Sequence, residues 1–295
     1  MPSAEVDLSA GLVRRLVAGQ HPDLAGLPVE VLANGWDNVI CRLGDDLAVR
    51  LPRRVAAAEL IRHEQRWLPE LAARLPLSIP APVRVGRPAL GYPWHWSIVP
   101  LLPGQIAELS PPADPVDAAV GLGRFLGALH EPAPADAPVN PFRGVPLANR
   151  TEVFESRLDR LAADVDVAAA RLVWAEALAA PRWDGPPLWL HGDLHPANIL
   201  VDRGRITGVI DFGDMTAGDP ATDLSVAWAL LPRAAHAAFR DAYEAAGGPA
   251  SAAGIWLRAR GWALGLALAI LVSSADNAVM AAIARRSLAA VLGPD

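Results

Sequence analysis

Along the first hundred residues the apolar positions come in short runs parted by turn residues, which is the signature of strands. The runs are 29–33 (VEVLA), 38–43 (NVICRL), 47–52 (LAVRLP), 83–87 (VRVGR) and 94–99 (WHWSIV). Between the third and fourth, over 55–74, Leu60, Ile61, Trp67, Leu68 and Leu71 recur at helical spacing, and Pro76 follows as a stop signal. The pattern predicts a small antiparallel sheet with one helix. After Leu101-Leu102-Pro103-Gly104 the chain turns to Ala- and Leu-rich helical segments over roughly 115–130, 150–180, 219–246 and 250–292, broken by a β-like block at 188–210. The expected class is therefore α+β in two lobes, 1–101 and 102–295. The stretch 131–148 (EPAPADAPVNPFRGVPLA) holds five prolines and reads as an ordered, extended connector.

Composition narrows the picture. With 295 residues, 52% hydrophobic and 20% charged, the chain can build an ordinary core and is too apolar to be disordered. A net charge of -6 argues against a general nucleic-acid binder. The single Cys41 excludes an internal disulfide framework and a cysteine-rich zinc site, which fits a reducing compartment, so a cytoplasmic location is expected. Glu5 and Asp7 precede any basic residue, unlike a secretory signal. The longest uncharged apolar run, 261–275, is shorter than the ~20 residues of a membrane crossing and reads as a buried helix. Neither a nucleic acid nor a membrane is expected as partner. All 26 basic residues are Arg, which codon bias explains, so chemistry that usually employs Lys must employ Arg. The acids are unevenly spread: residues 1–101 hold 11 Arg and 10 acids, residues 102–295 hold 15 Arg and 22 acids.

The block LWLHGDLHPANILVDRGRITGVIDFGDMTAGDPATDL, 188–224, reads as strand, polar loop, strand, tight turn, strand, acidic loop and helix. His191, Asp193 and Asn198 stand as H-x-D-x-x-x-x-N, and Asp211-Phe212-Gly213 comes thirteen residues after Asn198. This spacing belongs to phosphoryl transfer. Such a reaction needs a positioned acceptor hydroxyl and divalent cations on the phosphates, and Mg²⁺ prefers carboxylate and carbonyl oxygens. Asp193 can face the acceptor while Asn198 and Asp211 face the metal. A zinc site at His191, Asp193 and His195 competes poorly, because Pro196 follows and no further His or Cys cluster completes it. A structural Asp-Asn turn explains any one of these residues but not the set. Asp219 and Asp223, where a helix begins, read as structural supports.

HGDLHPANIL followed by VIDFGD and GDPATDL resembles the aminoglycoside phosphotransferase family, bacterial small-molecule kinases with a protein-kinase-like fold. The resemblance implies that Asp193 orients the acceptor hydroxyl and accepts its proton, that Asn198 and Asp211 bind Mg²⁺, and that His191 braces the loop. It also implies a nucleotide-binding first lobe. Arg50, in Ala48-Val49-Arg50, stands where such a lobe usually carries the phosphate-binding Lys, and Glu64 on the following helix is its expected partner. An ordinary surface role for Arg50, Glu59 as the partner instead, and pairing of Glu64 with Arg62 or Arg66 remain the alternatives. The turn Asn34-Gly35-Trp36-Asp37-Asn38 is a plain Asn-Gly hairpin by itself. Beside the resemblance it becomes the phosphate-covering loop, with main-chain N–H groups from Gly35 to Asn38 near the nucleotide. Adenine would meet the main chain over 98–101, with Val99 or Leu101 donating because Pro100 has no N–H.

The leading expectation is an Mg²⁺-dependent transfer of the γ-phosphoryl of ATP or GTP to a hydroxyl of a small molecule. An antibiotic of the aminoglycoside kind, inactivated by the added phosphate, is the expected acceptor, and the acidic second lobe favours a cationic one. A metabolic kinase of choline, homoserine, sugar or fructosamine type is the alternative. A nucleotide-binding regulator without turnover is a third reading, favoured by Arg50 alone and opposed by the presence of Asp193, Asn198 and Asp211.

Overall fold

The five strand-like runs form one antiparallel sheet in the order β1-β2-β3-β5-β4, with β1 Val29–Asn34, β2 Asn38–Leu43, β3 Leu47–Pro52, β4 Arg84–Gly86 and β5 Trp96–Pro100. The structure, a computed structural model, describes residues 4–6, 8–274 and 276–293. Its internal contacts divide into two units, one of residues up to 74 together with 78–102, the other of 75–77 and residues from 103 onward.

In the first unit, the two-residue period of a strand sends successive side chains of β3 to opposite faces. Val49 and Leu51 join Val39, Cys41, Leu43 and Ile98 in a core closed by Val13, Leu16 and Val17. Those three belong to a helix that the strand-centred reading left unassigned, α1 Ala10–Gln20, whose N-terminus is capped by Ser9 accepting from Leu12 N. Burying each such aliphatic side chain contributes about 1.5–3 kcal/mol. The expected helix is α2 Val55–Ala72, with Pro69 tolerated in its last turn. Arg50 leaves β3 on the face opposite Val49, and there it meets α2.

The second unit begins with a two-residue strand, β6 Gln105–Ile106, and then α3 Pro115–Leu129, started by Asp114 accepting from Val116 N and Asp117 N. The helix expected over 150–180 is two, α4 Thr151–Arg160 and α5 Val167–Ala179, because Asp166 caps a fresh start by accepting from Ala169 N. The β-like block becomes β7 Leu188–Leu190, β8 Ile199–Asp202 and β9 Arg205–Val209, followed by β10 Thr216–Gly218. β6, β8 and β9 form one small sheet, and β7 pairs with β10. The segment 219–246 breaks into α6 Ala221–Leu224, α7 Val226–Leu230 and α8 His236–Ala245, with Pro232 in the last break. The final stretch is α9 Ile255–Ser273 and α10 Ala278–Leu292, the latter capped by Asn277.

α3 and α8 pack closely because Gly127 has no side chain, and a Cβ there would lie 2.5 Å from that of Ala246. α9 contains the apolar run but starts earlier, so Arg258 and Arg260 lie inside it and it reaches the length that the run alone lacked. Its 19 residues, at a mean hydropathy of 1.5, suffice for a crossing by length and composition, and half of that window is buried within the protein. It packs against α5, α6 and α10, as the buried-helix reading expects.

Candidate active site

The loop between β7 and β8 carries His191, Asp193 and Asn198, and its shape is held from beneath by one carboxylate. Asp223, fully buried on α6, accepts from His191 N at 2.7 Å and Gly192 N at 2.9 Å. Its Oδ2 also lies 3.2 Å from His130 Nε2, and His130 Nδ1 lies 2.8 Å from the Tyr243 hydroxyl on α8. Gly192 has φ +86, and a Cβ there would sit 2.2 Å from the Asp214 carbonyl oxygen, so no side chain fits this turn. Asp219 accepts from Ala221 N as expected of a helix-start residue, and it also forms a buried pair with Arg258 at 2.7 Å.

The His191 ring links the loop to the strand end that precedes Asp211. Its Nδ1 accepts from Asp193 N at 3.2 Å, which leaves Nε2 to donate to the Ile210 carbonyl at 2.9 Å. The ring rests on Phe212 with centroids 4.5 Å apart. Asp211 itself adopts φ 64, a left-handed conformation that costs a non-glycine residue about 1–3 kcal/mol. Asn198 is buried and donates through Nδ2 to the Asp193 carbonyl at 2.9 Å, so its amide oxygen is the end left for an electrophile.

Asp193 is held by Arg143 and His195. Arg143 donates to Oδ1 at 2.9 Å, and His195 Nε2 lies 3.4 Å from Oδ2. Burial alone would raise the Asp193 pKa, but His195 and then Arg143 outweigh it and hold the carboxyl well below the usual range. Burial depresses His195, and the Asp193 charge more than restores it, so its pKa is raised. Arg143 also stands 3.8 Å from Asp214, whose other oxygen accepts from Asn140 Nδ2 at 2.7 Å. Burial raises the Asp214 pKa against the pull of Arg143. Arg143 and Asn140 come from the proline-rich stretch read as a connector. That stretch is pinned by Asn140 N and Gly144 N donating to the hydroxyls of Thr216 and Thr222. Arg143 was missed because one Arg in a loop carries no spacing signal.

In the first unit Arg50 and Glu64 form a buried ion pair at 2.6 Å. Its geometry selects Glu64 over Glu59, which instead lies near Arg62 and His63 on the helix surface. Arg53 and Arg54 turn to the hairpin tip: Arg53 donates to the Gly35 carbonyl at 2.9 Å and Arg54 pairs with Asp37 at 2.5 Å. The Gly35 N–H closes the turn onto the Asn38 carbonyl at 2.8 Å, so it is not a spare donor. The N–H groups of Trp36 and Asp37 remain at the tip, and the Asn38 side-chain oxygen is buried without a donor.

The adenine donors need correction. Leu101 N donates to the Asp46 carbonyl at 2.8 Å, which uses up that group. Bonding alternates along an antiparallel ladder, and Ala48↔Val99 falls on the same bonded set, so the Val99 N–H also faces β3. The next N–H on the opposite edge is that of Leu102.

Two recesses adjoin Asp193 within the second unit. One is apolar, with Ala263, Leu266, Ala267 and Ile270 of α9 beside Asp193 and His195. The other shares Leu266 and holds Arg143, Arg150 and Arg157 with Phe154 and Trp262. Asp193 is the one carboxylate lining either. The acidic count of the second lobe, which pointed to a cationic acceptor, is therefore not carried into these walls. Among the described residues no group of three or more His, Cys, Asp or Glu could hold a metal ion. Asn198 and Asp211 offer an amide and a carboxylate oxygen of the kind that would hold Mg²⁺.

A sequence profile of the phosphotransferase enzyme family matches residues 28–262. The chain belongs to this family and is a small-molecule phosphotransferase. Its fold is that of the GDP and kanamycin complex of APH(2")-IIia, with a TM-score of 0.67, 21% identity, and 95% of this chain and 98% of that one covered. The macrolide 2'-phosphotransferase MphH from Brachybacterium faecium matches at a TM-score of 0.61 and 25% identity, covering 97% of this chain and 98% of its own. The protein-kinase-like α+β fold is thus observed. An uncharacterized protein, YcbJ of Bacillus subtilis, is 37% identical over 67 residues, and this match spans 22% of each chain.

Proposed function

We propose that this chain transfers the γ-phosphoryl of ATP or GTP to a hydroxyl of a small molecule in the cytoplasm, with Asp193 as the group that orients the hydroxyl and takes its proton. The observation that carries this is the Asp193 carboxylate, ionised and partly open to solvent, on a loop whose main chain is fixed by Asp223, His191 and Asn198. A base kept this acidic does not abstract the proton in advance. It aligns the hydroxyl and accepts the proton as the bond to phosphorus forms, so its contribution is mostly positioning. Asn198 and Asp211 are the residues that would hold Mg²⁺, which when bound neutralises charge on the phosphates. Arg50, kept in place by Glu64, binds phosphate in the first unit, where the N–H groups of Trp36 and Asp37 cover it and the Leu102 N–H meets the base.

Antibiotic inactivation is the second reading, favoured by the kanamycin, streptomycin and gentamicin named in the complexes of structural neighbours. The test is calorimetric titration with ATP and GTP, with and without Mg²⁺. Binding should require Mg²⁺ in the wild type, and Asp211→Ala should weaken it about 10-fold or more. Equal binding by both proteins, or binding indifferent to the metal, would refute the assignment of Asp211.

A further inference from the structure

We infer that the acceptor carries an oxyanion, a carboxylate or phosphate, which Arg143, Arg150 and Arg157 bind while the acceptor hydroxyl sits at Asp193. The inference rests on the phosphotransferase reading and names its substrate class.

Arg150 and Arg157 are seven residues apart, so they project from the same face of the α4 segment, two turns from one another, with Val153 and Phe154 between them. Phe154 is buried and stacked on Trp174, which fixes the floor of the recess. Three half-buried guanidinium groups gather over that floor. Among the described residues, Arg143 is the one of the three that meets carboxylates, and those are Asp193 and Asp214. Arg150 lies over the ring of Phe142, an aromatic face rather than an acid. Burial lowers the Arg157 pKa, and Arg150, Arg143 and Arg160 lower it further. The acids of α4 are engaged elsewhere or exposed: Glu155 and Asp159 face Arg171, and Glu152 is exposed.

Like charges gathered in a half-buried recess cost stability, and folding alone gives no reason to assemble them. Two donors of lining residues are also left over. Trp262 Nε1 and Arg143 Nε are buried and have no acceptor. Buried donors of this kind are normally satisfied. An oxyanion would neutralise the cluster, with the planar guanidinium forks supplying paired N–H bonds. Arg143 both donates to Asp193 and lines the recess, so the acceptor's hydroxyl and its anion lie close together. An aminoglycoside, polycationic throughout, would place ammonium groups against these arginines and is disfavoured.

The experiment uses the full chain and inorganic phosphate as probe, at constant ionic strength set with sodium chloride, and follows thermal unfolding of the wild type, Arg157→Met and Arg150→Gln. Phosphate should raise the wild-type Tm saturably, and its apparent affinity should fall about 10-fold or more in either variant. Without phosphate, Arg157→Met should melt at or above the wild-type temperature, because a repulsive charge is gone. Equal phosphate responses in all three proteins, or a response that chloride reproduces, would overturn the inference. A second arm measures acceptor-stimulated turnover with hydroxy-carboxylic acids, sugar phosphates, their amides or unphosphorylated parents, and kanamycin. Turnover of the acids with an acceptor KM at least about 10-fold higher in Arg157→Met supports the inference. Turnover of kanamycin or the neutral compounds while the acids stay silent overturns it and leaves the phosphotransferase standing. Failure to bind Mg-nucleotide would refute the underlying reading separately from the phosphate result.

Discussion

Replacing Asp223 by Asn tests whether the catalytic loop is held from beneath. The change is nearly isosteric, so it removes charge and one acceptor without opening a cavity. In the wild type two carboxylate oxygens take two main-chain N–H groups, at 2.7 Å from His191 and 2.9 Å from Gly192. A hydrogen bond to a charged group contributes about 1.5–3 kcal/mol. An amide offers one oxygen, and its NH₂ group would face the second N–H, donor against donor. One bond is lost, the other loses its charge assistance, and the expected cost is about 2–4 kcal/mol. The site should suffer as well, because His191 and Gly192 lead directly into Asp193. A misplacement on the order of 1 Å costs about 10²-fold in rate. Urea unfolding measures the first effect and steady-state kinetics the second, with the loss expected mainly in kcat. A variant within about 0.5 kcal/mol of wild type and with unchanged kcat would show that the loop holds its shape without Asp223.

Two other predictions follow from the cations and carboxylates of the site. The raised pKa of His195 means that its protonated form stabilises the fold fully below the ordinary value near 6.5, and that this contribution is lost as pH rises through the folded-state value. The stability difference between wild type and His195→Gln should therefore shrink as pH is raised above about 6.5, and a difference that grows with pH in chemical denaturation would contradict the Asp193–His195 contact. Arg50→Met removes the 2.6 Å ion-pair partner of the buried Glu64, so a loss of up to about 3–5 kcal/mol and a higher nucleotide KM are expected. Unchanged nucleotide kinetics in this variant would mean that the phosphate-binding cation lies elsewhere.

The strands and the phosphotransferase loop were legible because both are written in local spacing. Period-two runs mark β1 to β5, and His191, Asp193, Asn198 and Asp211 lie within 21 residues of sequence. Glu64 was legible because a carboxylate on the apolar face of α2 needs a partner, and Arg50 is that partner. α1 carried a readable signal in Ser9 and the Leu12, Val13, Leu16, Val17 spacing, which the strand pattern overshadowed. Arg143 was not legible, since the contact to Asp193 closes fifty residues of chain and depends on where Thr216 and Thr222 pin the loop. The adenine donors were misread because a missing N–H at Pro100 says nothing about which neighbours are already bonded to β3. The recess was not legible for a similar reason: net charge counts acids over the whole lobe, whereas Arg143, Arg150 and Arg157 come together only in the fold.

The central claim is that Asp193 accepts the proton of the acceptor hydroxyl. Its most direct test is phosphoryl transfer from MgATP or MgGTP to the best acceptor of the turnover screen by wild type and Asp193→Ala, with Mg-nucleotide affinity measured on the same samples. Transfer should fall by at least about 10²-fold while nucleotide affinity stays within about 3-fold of wild type. Transfer at a near wild-type rate by Asp193→Ala would contradict the account.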